Sequence, residues 1–116
     1  MIKVWRLPFL IEHWVDGDTA HGTIDMGWRW RWTPPKGIRL LCADGSSYDA
    51  PELRGATLAL AQQAKVWVNV LAPAGSWVMI TSHRVDPDDF GRPLCSIEMS
   101  DGQDLAAAMI GAGYVK

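Results

Sequence analysis

The sequence predicts a mainly β domain with two helices, arranged as a five-stranded barrel of the oligonucleotide-binding type. Three observations lead there. Five segments have strand composition or two-residue alternation, a helix-forming stretch follows the third and another follows the fifth, and 116 residues suffice for one core but not comfortably for two. The chain therefore reads as a single domain over residues 1–116.

The first segment, Met1 to Val15, is apolar with Lys3, Arg6, Glu12 and His13 interspersed. Pro8 lacks a ladder donor, so the strand is expected to be interrupted or edge-like there. Asp16-Gly17-Asp18-Thr19 is in the first instance a hairpin turn. From Ala20 the even positions read Ala20, Gly22, Ile24, Met26, Trp28, Trp30 and Trp32, while the odd ones carry His21, Thr23, Asp25, Gly27, Arg29 and Arg31. Such alternation marks a strand with one buried face. Trp28-Arg29-Trp30-Arg31-Trp32 also matches a base-stacking platform, but aromatic strand residues pack more often than they stack on a ligand. The expectation is that these tryptophans bury and the arginines face water. Exposure would instead make that face a surface for a partner or for self-association.

Thr33-Pro34-Pro35-Lys36-Gly37 is a turn, and Ile38 to Ala43 is a short apolar strand holding Arg39, whose guanidinium needs a partner. A structural ion pair with Asp44 or Asp49 would satisfy it. Asp44 to Tyr48 is a loop, and in Asp49-Ala50-Pro51-Glu52 a proline stiffens the backbone between two carboxylates. Leu53 to Leu71 reads as a helix with Leu60, Ala64, Trp67 and Leu71 on one face, closed by Pro73. Glu52 then precedes a helix N-terminus, where the dipole favours a carboxylate even without a catalytic role. Trp77 to His83 and Pro93 to Met99 are strands flanking a polar loop, Arg84 to Arg92, and Gln103 to Ile110 is a final helix ending at Gly111 or Gly113.

Composition excludes several classes. With 48% hydrophobic and 21% charged residues the chain is neither disordered nor, lacking a long apolar run, membrane-spanning by helices. The N-terminus has no clean apolar region with a cleavage site, so a cytoplasmic protein is expected. Cys42 and Cys95 lack ligand spacing and fit buried thiols better than a zinc site or a disulfide. A net charge of -2 argues against tight nonspecific grip on a polyanion, but not against a small site holding one phosphate.

Acidic and cationic groups recur in an order suited to such a site: Asp16 and Asp18 around a glycine, then Arg39, then Asp49 and Glu52, then Arg92. Carboxylates attract a hard cation, and arginine forks match phosphate oxygens. Val15-Asp16-Gly17-Asp18-Thr19, Ile38-Arg39-Leu40-Leu41, Asp49-Ala50-Pro51-Glu52, Asp88-Asp89-Phe90-Gly91-Arg92-Pro93-Leu94 and Asp101-Gly102 occur in this order. Together they resemble the staphylococcal (thermonuclease) nuclease family over about Val15 to Lys116. Ile24-Asp25-Met26-Gly27-Trp28 resembles a variant hairpin of some bacterial and phage members.

The resemblance implies a calcium-dependent endonuclease that hydrolyses phosphodiester bonds of DNA or RNA with little sequence preference, leaving 3'-phosphates. It makes Asp18 a calcium ligand, with the Thr19 carbonyl beside it and Asp16 in support. The second aspartate ligand falls at Asp49 by the Asp-x-Pro-Glu pattern, or at Asp44 by distance from Arg39. Arg39 and Arg92 would hold the scissile phosphate, and Glu52 would be the general base. Asp89 and Phe90 stand where the family often has a basic residue and a tyrosine, which removes a favourable charge and a phenolic contact. Tyr48, in an apparent insertion, could stack on a base. The rival expectation is a non-catalytic module of the same barrel type that binds nucleic acid or protein.

Overall fold

The computed structural model describes residues 5–83 and 91–116. Asp88, Asp89 and Phe90 lie outside them. The described elements are β1 (Trp5–Trp14), β2 (Thr19–Gly27), β3 (Trp30–Trp32), β4 (Ile38–Leu41), a 3-10 turn (Gly55–Thr57), α1 (Leu58–Leu71), β5 (Trp77–Ser82), β6 (Leu94–Glu98) and α2 (Leu105–Gly111).

Five strands close into a barrel in the order β1-β5-β6-β4-β2, with β2 returning to β1. Only the β4–β6 pairing in that ring is parallel. The interior follows from strand alternation: Phe9 and Ile11 on β1, Ala20 and Ile24 on β2, and Ile38 and Leu40 on β4 are all buried. Gly22 shares that inward face because nothing larger fits. A Cβ there would come within 2.1 Å of the Leu10 carbonyl oxygen and 2.6 Å of the Phe9 ring. α1 packs on the barrel through Ala61, Ala64 and Val68. The Trp14 indole, buried beneath the end of α1, donates to the Ala72 carbonyl at 2.9 Å.

Several expectations are corrected. β1 runs unbroken through Pro8, which pairs with Met79 one residue before the β2 pairing begins at Phe9, so β2 offers no rung there. The alternating run 20–32 is two strands rather than one. Gly27, Trp28 and Arg29 all have positive φ (82°, 54° and 66°), and this left-handed turn folds β3 back antiparallel onto β2. Such backbone costs a non-glycine residue roughly 1–2 kcal/mol. The tryptophans do not bury: Trp28, Trp30 and Trp32 are 95%, 73% and 47% exposed, because β3 extends beyond the ring that encloses the core.

The first helix starts at Leu58, not Leu53, since Gly55 at φ 60° begins a separate 3-10 turn. Glu52 therefore does not abut an α-helix, and Leu60 and Trp67 are exposed while Ala61 and Val68 face inward. The last helix begins after Asp104, whose carboxylate accepts from the Ala107 N–H at 3.2 Å. Both cysteines are free thiols, Cys95 buried and Cys42 half-buried. Among the described residues no helix is long and apolar enough to cross a membrane.

Candidate active site

Register brings the first three site residues together. β2 pairs antiparallel with β4 so that Thr19 stands opposite Arg39, and the parallel β4–β6 pairing sets Arg39 beside Leu94, two residues after Arg92. The acidic turn leads into β2 and is pulled onto the loop after β4. Asp18 Oδ2 accepts the Ala50 N–H at 3.0 Å, which requires Gly17 at that point: a Cβ on Gly17 would lie 2.9 Å from the Ala50 methyl. The glycine thus serves the contact between two loops. The Asp18 N–H in turn donates to Asp16 Oδ1 at 3.0 Å.

Arg39 joins the halves. Its Nη2 donates to Asp49 Oδ1 at 2.5 Å, and its Nη1 lies 2.6 Å from Asp18 Oδ2. That second approach is a close ion pair, and Nη1 is buried. Arg92 reaches the same place from the other side, its Nη1 donating at 2.8 Å to the Thr19 hydroxyl. That hydroxyl donates to Asp18 Oδ1 at 3.2 Å.

Electrostatics are uneven here. Burial, reinforced by the Asp16 carboxylate, pushes Asp18 up to about 6, although the Ala50 N–H and the Arg39 charge pull it down. An acid held near neutrality in this way leaves room for a cation to replace the proton.

Not every expected residue joins. Glu52 is held elsewhere, its Oε1 2.8 Å from Lys116 Nζ and its Oε2 2.7 Å from Arg54 Nε, and these cations bring it down to about 2. Asp44 serves its own turn, accepting from the Ser46 N–H at 2.9 Å and the Ser46 hydroxyl at 2.6 Å, which lowers its pKa. Asp49, not Asp44, is therefore the carboxylate on Arg39. Tyr48 cannot stack on a base, since it is buried with its hydroxyl donating at 2.5 Å to the Tyr114 carbonyl.

A cleft of about 410 Å³ opens over Asp16, Thr19 and Arg92, and its remaining walls are Val15, His21, Pro35 and Lys36. His21 and Lys36 were not singled out from sequence. Parity could have found the first: His21 lies two residues after Thr19 and so on the same face of β2. The His21 ring is stacked on His13 at 4.9 Å between centroids.

No protein-family model matches the chain, and no curated protein does. The site is read from its own residues.

For a hard cation the donors are right in kind: carboxylates of Asp16, Asp18 and Asp49 and the Thr19 carbonyl, which already accepts from the Val15 N–H at 2.9 Å. Among the described residues no three His, Cys, Asp or Glu side chains converge closely enough to hold an ion unaided. The donor types suit a hard cation, but calcium takes roughly six to eight oxygens, so most of its ligands would have to come from water and phosphate.

Proposed function

We propose that this chain is a calcium-dependent nuclease that hydrolyses phosphodiester bonds of DNA or RNA with low sequence specificity and leaves 3'-phosphates. The observation that carries this reading is the Arg39 guanidinium, spanning Asp18 and Asp49 and linked through Asp18 and Thr19 to Arg92, which lines the cleft with Asp16 and Thr19. A phosphodiester resists attack because its charge repels nucleophiles, so a catalyst must offset the equatorial oxygens and position a water. Arg39 and Arg92 would bind those oxygens as forked donors, with Asp49 and Thr19 holding the two guanidiniums in place. Asp18, Asp49 and the Thr19 carbonyl, with Asp16 in support, would hold calcium, which when bound adds positive charge opposite the phosphate. Glu52, ionised at neutral pH but held by Lys116 and Arg54, would have to leave those ion pairs to take the proton from the attacking water, a role worth ~10²- to 10⁴-fold. The likeness to the staphylococcal nuclease family in motif order supports the same assignment.

Incubation with single- and double-stranded DNA and RNA, with calcium or with chelator, tests it. Cleavage that chelator abolishes is expected, and no chelator-sensitive cleavage of any of the four would reject it.

One observation favours the second reading, a non-catalytic binding module. Glu52 is closed into ion pairs with Lys116 and Arg54, as a purely structural carboxylate would be. In that case Glu52→Gln leaves function intact, whereas loss of cleavage with unchanged folding and binding excludes it.

A further inference from the structure

The β2–β3 hairpin holds three exposed tryptophans that the proposed catalytic site does not use. Trp28 stands at a tip whose backbone is left-handed at two successive non-glycine residues, and it is 95% exposed. Strained, exposed and aromatic positions of this kind point to contact with something outside the fold. Trp30 and Trp32 lie two residues apart on β3, hence on one face and ~6.6–6.8 Å apart along the strand. Both rings are exposed, and each offers an aromatic face on which a base can stack.

Charge selects among occupants. Arg29 and Arg31 alternate with the tryptophans and are exposed. Arg31 also sits 5.8 Å over the Trp77 ring, and Asp25, opposite it in the register, accepts from the Gly27 N–H at 2.9 Å. A second copy docked through this hairpin about a two-fold axis would set these arginines against their own mates. A polyanion with exposed bases meets both the rings and the charges. The hairpin also borders an apolar hollow. Trp32, Met26, Trp5 and Pro93 share the wall of this hollow of about 170 Å³, and Pro93 directly follows Arg92.

Resting on the nuclease reading for the class of polymer, we propose that this hairpin is a docking platform for single-stranded nucleic acid. Bases stack on the exposed faces of Trp28, Trp30 and Trp32, and Arg29 and Arg31 face phosphates. Duplex bases are already stacked on one another, so the platform favours single strands.

The test is fluorescence anisotropy of a labelled fifteen-residue oligothymidylate, with chelator present so that nothing is cut. Trp30→Ala is expected to weaken binding roughly 5- to 100-fold, Trp30→Phe to restore most of it, and a duplex of equal length to be indifferent to either. Replacing Arg29 and Arg31 together by alanine should reduce the slope of log affinity against log salt by about 1.4. Circular dichroism melts of each variant report folding. Affinity for the single strand unchanged within twofold in Trp30→Ala overturns the proposal. So does a dimer that dissolves in this variant while oligonucleotide binding stays put. Cleavage of a trinucleotide by the unaltered chain, with and without calcium, reads the catalytic proposal separately, so either can fail alone.

Discussion

Lys116 binds Glu52 through its side chain while its backbone binds a neighbour of Glu52. Nζ lies 2.8 Å from Glu52 Oε1, and the Lys116 N–H donates at 2.8 Å to the carbonyl of Asp49, the carboxylate that also meets Arg39. With Arg54 on the other oxygen, this holds the Glu52 carboxyl at about 2, well under the ordinary 4.5. A base so stabilised is ionised but weak.

Lys116→Ala should therefore raise the Glu52 titration towards its ordinary value, seen as an upward-shifted transition of its side-chain carbon by NMR. The depressed carboxyl contributes stability that is fully present above about 4.5 and lost as pH falls through about 2, so the acid limb of unfolding moves up in the variant. If Glu52 is the base, the turnover number rises as well. An unmoved titration would show that Lys116 does not control this carboxylate.

Asp18 behaves in the opposite sense. Its pKa in the folded protein, about 6, lies above the ordinary 3.8, so between those values the folded state binds more protons than the unfolded one. Without added metal, this residue's contribution is fully present below about 3.8 and is lost as pH rises through about 6. Urea titrations from pH 4 to 7 should show the native protein losing stability relative to Asp18→Asn across that window. Equal slopes would mean that Asp18 is not buried as described.

On the nuclease proposal, calcium would compete with the proton for the Asp18 carboxylate. At pH 7.5 saturating calcium should raise the melting temperature, and a hundredfold excess over the dissociation constant corresponds to about 2.7 kcal/mol. At pH 5, where Asp18 is protonated, the increment should shrink, and in Asp18→Asn it should vanish. Scanning calorimetry with calcium and with chelator reads all three.

Gly17→Ala tests whether the acidic turn must touch the loop after β4. The new methyl would come within 2.9 Å of the Ala50 Cβ, and crowding of this kind typically costs about 1–3 kcal/mol. Urea unfolding should register that loss. Cleavage should fall further than the unfolded fraction explains, because the Asp18 bond to the Ala50 N–H must shift.

Arg39→Lys keeps the charge but cannot span Asp18 and Asp49 with one planar group. A loss of roughly 10²- to 10³-fold in kcat is expected if the guanidinium stabilises charge on the phosphate, with a smaller change in KM. Steady-state kinetics on a single-stranded substrate distinguishes this from a purely structural bridge, whose loss would lower the melting temperature and leave kcat intact.

The barrel was legible because its information is local: alternation along 20–26, the apolar run at Ile38, and the turns at Pro34 and Gly45. The hairpin was signalled only by the likeness of Ile24 to Trp28 to a variant hairpin, since alternation passes through Trp28 and Arg29 without the Asn-Gly signal that usually announces such a turn. Tryptophan spacing gave parity but not exposure, which depends on whether β3 belongs to the ring. In the site, a buried arginine's need for a carboxylate anticipated the Arg39–Asp49 pair. No short-range pattern tells that Lys116 meets Glu52 or that Tyr48 turns inward onto Tyr114, because both contacts form across more than sixty residues of chain.

The parallel seam between β4 and β6 has a kinetic corollary. It joins segments separated by the whole of α1 and β5, and loop-closure entropy makes such pairings late events during refolding. The Arg39 amide donates to the Pro93 carbonyl at that seam, so Arg39 and Arg92 are brought to the same end of the barrel only when it zips shut. A chain renatured from urea should regain its hairpin circular dichroism first and its competence to bind phosphate afterwards.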